Sequence, residues 1–162
     1  MGPAAPVEIL RLLAAREVDF IVVGMVAGVL RGAPVTTVDL DIVHRRGVDN
    51  VSRLLRVLRD LHATYRHDPR GLHPAESHLA TAGHQLLSTT HGDLDCLGAV
   101  GDGQSYEDLL EHAPEVELEK GLVVRIIDLP TLIDLKEKAG RPKDIAALPV
   151  LRATLAETLR RS

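Results

Sequence analysis

Asp39 and Asp41 stand two residues apart in Val38–Val43, an apolar run that reads as a strand, and Asp95 stands in a second such run at Leu94–Leu97. Side chains alternate faces along a strand, so Asp39 and Asp41 point the same way. Carboxylates placed like this converge on one hard cation, or on a pair of cations about 3.5–4 Å apart. Such a site suits phosphate chemistry: metal charge offsets phosphate charge, and a carboxylate takes the proton of an attacking hydroxyl. Asp93 shares a face with Asp95 but adjoins the His91-Gly92 turn, so Asp95 is the preferred third ligand and Asp93 a solvated turn residue.

The elements that must position these carboxylates follow from local pattern. Val7–Arg16 has helical apolar spacing, Phe20–Val23 is a strand stopped by Gly24, and Val26–Leu30 is a short helix ended by Arg31-Gly32. Gly24 lets the backbone approach a phosphate group, and the following helix start favours anions. Pro34 extends the chain into the Asp39/Asp41 strand. Asp49 or Asn50 caps a helix running to about Leu61, with Arg53, Arg56 and Arg59 on the face opposite its leucines. That arginine face reads as solvated surface, or else as a surface for an RNA backbone or an acidic partner. Residues 63–83, rich in His, Pro and Gly, read as a mobile loop with one strand near Ser77–Thr81. Gln85–Thr89 and Leu94–Leu97 read as strands, and Glu115–Leu118 with Leu122–Ile127 as a hairpin around Lys120-Gly121. Leu129–Lys138 is helical with Pro130 in its first turn, and Pro149 opens a last helix to about Leu159.

Composition narrows the function further. The chain of 162 residues fits one compact unit, and with 2% aromatic residues its core is aliphatic and its surface lacks base-stacking platforms. The single cysteine, Cys96, excludes an intramolecular disulfide, and no apolar run is long enough to span a bilayer, so a soluble cytoplasmic protein is expected. The net charge of −4 argues against broad capture of nucleic acid; residues 44–70 carry +4, leaving −8 elsewhere. The eight histidines lack compact zinc-ligand spacing.

Gly24-Met25, Arg31-Gly32 and Val35-Thr36-Thr37-Val38-Asp39-Leu40-Asp41 together resemble the signature of the DNA polymerase beta-like nucleotidyltransferase superfamily, in particular its small bacterial minimal and AbiEii-like branch. Gly92-Asp93-Leu94-Asp95 is similar to the strand bearing the third carboxylate, and Leu132–Asp144 to the C-terminal Lys and Arg-Pro-Lys-Asp helix pair. The resemblance implies an α/β (α+β) fold with a short mixed sheet and helices packed on one side, spanning 1–128, and a small C-terminal helical section at 129–162. It implies transfer of a nucleoside monophosphate from ATP or another NTP to a hydroxyl, with two Mg²⁺ ions held by the catalytic residues Asp39, Asp41 and Asp95. Gly24, Met25, Thr37, Lys136, Lys138, Arg141 and Lys143 are the implied nucleotide-binding residues. The implied acceptor is RNA (a tRNA 3′ end) or protein in a toxin–antitoxin setting with an antitoxin partner, or a small molecule such as an aminoglycoside. Met25 replaces the Gly or Ser of relatives, and Val35 stands where many carry Arg; these departures support a second reading, a catalytically weak module that binds nucleotide or a partner.

Overall fold

Seven short strands form one mixed sheet in the computed structural model, which describes residues 4–162. The chain runs α1 (Ala4–Ala15), β1 (Phe20–Val23), α2 (Gly24–Leu30), β2 (Leu40–His44), α3 (Val48–Asp60), β3 (Thr64–Tyr65), α4 (Glu76–Leu79), β4 (His84–Thr89), β5 (Gly92–Leu97), α5 (Tyr106–Leu109), β6 (Glu115–Glu119), β7 (Leu122–Ile126), α6 (Leu129–Ala139) and α7 (Pro142–Arg161). The sheet order is β3-β4-β5-β2-β1-β7-β6. Neighbours pair antiparallel except β2 with β5 and β1 with β7, which run parallel. This is the expected α/β class, with helices flanking the sheet and a helical C-terminus. No helix among the described residues is long and apolar enough to cross a membrane.

The two faces of β2 have different tasks. Leu40, Ile42 and His44 are fully buried on one face, and His44 Nε2 lies 2.7 Å from the Leu79 carbonyl of α4, which in turn packs on α3. Asp41 and Val43 lie on the other face. The arginine-bearing α3 is therefore behind the sheet as seen from Asp41. At the other end of the sheet, the Arg31 guanidinium donates to the carbonyls of Ile127 (3.2 Å) and Ile126 (2.6 Å), tying the end of α2 to β7.

Several local expectations change. Val48, not Asp49 or Asn50, starts α3; Asn50 is buried and bridges backbone groups of Asp19 and Arg45, a use its position gives it and a cap would not. The segment read as a loop is held in place: β3 adds to the sheet edge, Glu76–Leu79 is a helical turn rather than a strand, and the His78 ring meets Tyr65 edge-on at 5.6 Å. Pro149 lies inside α7, which Pro142 opens instead. Pro149 and Ile145, whose carbonyl loses its helical partner, are both exposed, so water can satisfy that carbonyl.

Where β5 ends, two backbone segments cross with no room for a side chain. A Cβ on Gly98 would lie 2.0 Å from the Thr81 carbonyl oxygen and within 3.0 Å of Ala82 backbone atoms, while Gly98 N–H donates to the Gly83 carbonyl at 3.0 Å. Gly98→Ala is expected to destabilise the fold by about 1–3 kcal/mol, read as a melting temperature lower by about 2–4 °C per kcal/mol. An unchanged melting curve would contradict this crossing.

Candidate active site

Strand register assembles the carboxylates. In the parallel pairing of β2 with β5, Asp41 lies directly beside Asp95, and Leu40 beside Leu94. Alternation places Asp39, one residue ahead of β2, and Asp93, within β5, on the same face. Asp93 is thus a strand residue, not part of the turn, because β5 begins at Gly92. The sequence distinguishes Asp93 from Asp95 poorly; the distant register with β2 separates them.

Gly24 closes the site from the β1 side. Its φ is +68°, a left-handed conformation that glycine adopts without cost, and a Cβ there would stand 2.3 Å from Asp41 Oδ2. The backbone turn and the carboxylate are therefore in direct contact. Burial, repulsion from Asp95, a carboxyl–carboxyl hydrogen bond with Asp95 and the charge of Asp39 raise the Asp41 pKa, with Lys136 acting against them, to about 7.

A cation already contacts this cluster. The Arg66 guanidinium, extending from the end of β3, donates through Nη2 to Asp95 Oδ1 and to the Leu87 carbonyl (2.9 Å), and its Nε lies 3.3 Å from Asp93 Oδ2. Sequence reasoning passed over Arg66 because it falls in a segment without periodicity.

The structure distributes the other sequence candidates unevenly. Lys136 is near enough to Asp41 to lower its pKa, yet its Nζ is 3.2 Å from Asp144 Oδ1. Arg141 bonds the same carboxylate at 2.7 Å. Asp144 is fully buried; burial opposes its charge, but hydrogen bonds from Arg141 and Lys136 prevail and hold its pKa at about 2. The available sequence signal was the spacing Arg141-Pro142-Lys143-Asp144, an acidic residue at the third position of a helix. Lys138 is taken by Asp102 and Asp134, at 3.2 and 3.1 Å. Lys143 is exposed and makes no ion pair among the described residues. The Met25 side chain lies over Gly28 and packs on the core, so it offers the site only backbone. Thr37 borders a 90 Å³ apolar cavity between α1 and α2.

Among the described residues no three His, Cys, Asp or Glu side chains are grouped to hold a metal unaided. Mg²⁺ does not require three: one or two carboxylates with water and substrate phosphates suffice. The residues present fit such an ion. Asp41 is an oxygen donor whose pKa is raised first by burial and then by the neighbouring Asp95 carboxylate, and added positive charge opposes both effects.

No protein-family model matches the chain, and no curated protein matches its sequence. Solved structures do match. A Thermotoga maritima protein described as a candidate nucleotidyltransferase superposes with a TM-score of 0.52 at 20% identity, over 95% of this chain and 87% of that one. The antibiotic-resistance factor ANT(2″)-Ia superposes in solution with a TM-score of 0.61 at 18% identity, over 99% of this chain and 89% of that one. Its crystal structure in complex with adenylyl-2″-tobramycin gives 0.60 at 18% identity, over 94% and 88%. The chain has the fold of these nucleotidyltransferases.

Proposed function

We propose that the protein is a metal-dependent nucleotidyltransferase, moving a nucleoside monophosphate from an NTP to an acceptor hydroxyl with release of pyrophosphate. The observation that carries this reading is the alignment of Asp41 with Asp95 against the Gly24 turn. Asp39 and Asp41 would hold Mg²⁺, with Asp95 beside them; when bound, the ion offsets charge on the triphosphate and on the departing pyrophosphate. Asp41 gives up its proton to take part. Gly24 leaves room for phosphate oxygens at the backbone, and Lys136 and Arg141 add positive charge at the rim. Asp95 would accept the acceptor's hydroxyl proton as that oxygen attacks the α-phosphorus and the bond to pyrophosphate breaks.

The acceptor we favour is a small-molecule alcohol. The RNA surface that the sequence offers, the arginines of α3, lies on the far side of the sheet from Asp41 and so does not adjoin the carboxylates. ANT(2″)-Ia, of like fold and length, is a precedent for a small acceptor. A tRNA or protein acceptor and an antitoxin partner rest on the sequence resemblance alone.

The test is incubation with each α-labelled NTP and Mg²⁺ against three acceptor sets: aminoglycosides and other polyols, total tRNA, and protein extract. Label transferred to a small alcohol supports the full reading. Label on tRNA or protein retains the activity and replaces the acceptor. Nucleotide binding without transfer to any set replaces the enzyme with a binding module.

A further inference from the structure

Arg66 is the best-anchored cation near the carboxylates, and the proposed chemistry leaves it unused. Its backbone N–H donates to the Leu86 carbonyl at 2.9 Å, continuing the β3–β4 ladder. Its Nη2 reaches both Asp95 and the Leu87 carbonyl, and its Nε sits 3.3 Å from Asp93 without hydrogen-bond geometry. The side chain is 19% exposed, less than either carboxylate it contacts. A guanidinium fixed by ladder, carbonyl and carboxylate is a permanent part of the cluster.

We propose that Arg66 is a positioning residue that divides four aligned carboxylates into two pairs. Asp93 and Asp95 belong to the guanidinium, and Asp39 and Asp41 are left for the metal ion. The inference rests on the proposed transferase reading and deepens it. The cation on each side differs: one fixed guanidinium charge offsets half the charge of the two carboxylates at β5, and a divalent ion would offset both carboxylates at β2. Asp95 Oδ1 is occupied by Arg66, which orients the carboxylate beside Asp41 and leaves its other oxygen for the acceptor hydroxyl. Asp95 then serves the acceptor, and the metal requires only β2 and the nucleotide.

Mn²⁺ binding, followed by the electron-spin resonance of free Mn²⁺ without nucleotide, tests this independently of activity. The unaltered protein is expected to bind Mn²⁺, Asp41→Asn to lose binding, and Asp95→Asn, which removes a neighbouring charge but no ligand, to weaken binding by about threefold at most. Arg66→Gln frees Asp95 and is expected to tighten Mn²⁺ binding about tenfold, and Arg66→Gln/Asp95→Asn to reverse that gain. In transfer assays Arg66→Gln lowers kcat with little change in KM for NTP, and Arg66→Lys restores part of kcat. Circular dichroism checks that each variant is folded; the double variant carries the test if Arg66→Gln alone is unstable. A tenfold loss of Mn²⁺ binding in Asp95→Asn overturns the division while leaving the transferase reading intact. No Mn²⁺ binding by the unaltered protein, with or without NTP, overturns both.

Discussion

Asp41→Asn is expected to reduce nucleotidyl transfer by about 10³-fold or more, without unfolding the chain. Asn preserves shape but removes the charge that a hard cation requires. The same variant isolates the electrostatic burden of the site. In the unaltered protein Asp41 titrates at about 7, whereas an unfolded chain loses that proton near the ordinary carboxylate value of about 3.9. Between those limits the native state holds a proton that the unfolded state has released. Stability from this group is therefore complete below about pH 4, falls as pH rises toward 7, and is level above it. Melting temperatures of the two proteins without Mg²⁺ should diverge across that window, Asp41→Asn becoming the relatively more stable as pH rises. Comparing the two cancels shared contributions such as His44, whose burial lowers its pKa. Below pH 7 Mg²⁺ binding must also release a proton from Asp41, so activity declines with acidity. Parallel melting curves at every pH would show that Asp41 is not the perturbed carboxylate.

The second large effect is expected from a single methyl group. Gly24→Ala places a Cβ 2.3 Å from Asp41 Oδ2 and 3.0 Å from its Cγ, so the carboxylate must leave its place beside Asp95. It also puts a non-glycine residue at φ +68°, a strain of about 1–3 kcal/mol. Transfer should fall by about 10²-fold, since displacement of a reacting group by about 1 Å has that scale. Gly121→Ala is the matching control: its φ is +83°, but nothing lies within 4 Å of its Cβ position. Both substitutions lower the melting temperature by similar backbone strain, and only Gly24→Ala reduces transfer. Equal activity in the two would remove Gly24 from the site.

What the sequence makes legible here is what short-range geometry determines. Gly24 stopping an apolar strand, and Asp39 with Asp41 at strand spacing, are readable because each depends on a few neighbours. The β6–β7 hairpin and the helix at Leu129–Ala139 follow for the same reason, from a Lys-Gly turn and from Pro130 in a first turn. The reading of Asp93 as a turn residue fails because β5 extends back to Gly92 through pairing with β4. Arg66 follows directly on a strand of two residues, Thr64–Tyr65, which only the neighbouring β4 defines. Lys136 and Arg141 carry the charge expected for triphosphate, but Asp144, buried at the start of α7, takes hydrogen bonds from both. Val35 offers no cation ahead of the Asp pair; the structure brings one to the neighbouring carboxylates from the edge of the sheet, at Arg66.

The parallel pairing of β2 with β5 has a kinetic consequence. The hairpins β4–β5 and β6–β7 join segments close in sequence, but Asp41 meets Asp95 only across 54 positions, through a crossover that carries α3, β3, α4 and β4. Contacts of such long separation form late, after the loop entropy of the crossover has been overcome. A chain with only its hairpins in place lacks the Asp41–Asp95 pair and the ordered β2 that presents Asp39 and Asp41 together. A cation held there thus acts as a ligand of the finished sheet, and slows its reopening rather than speeding its assembly.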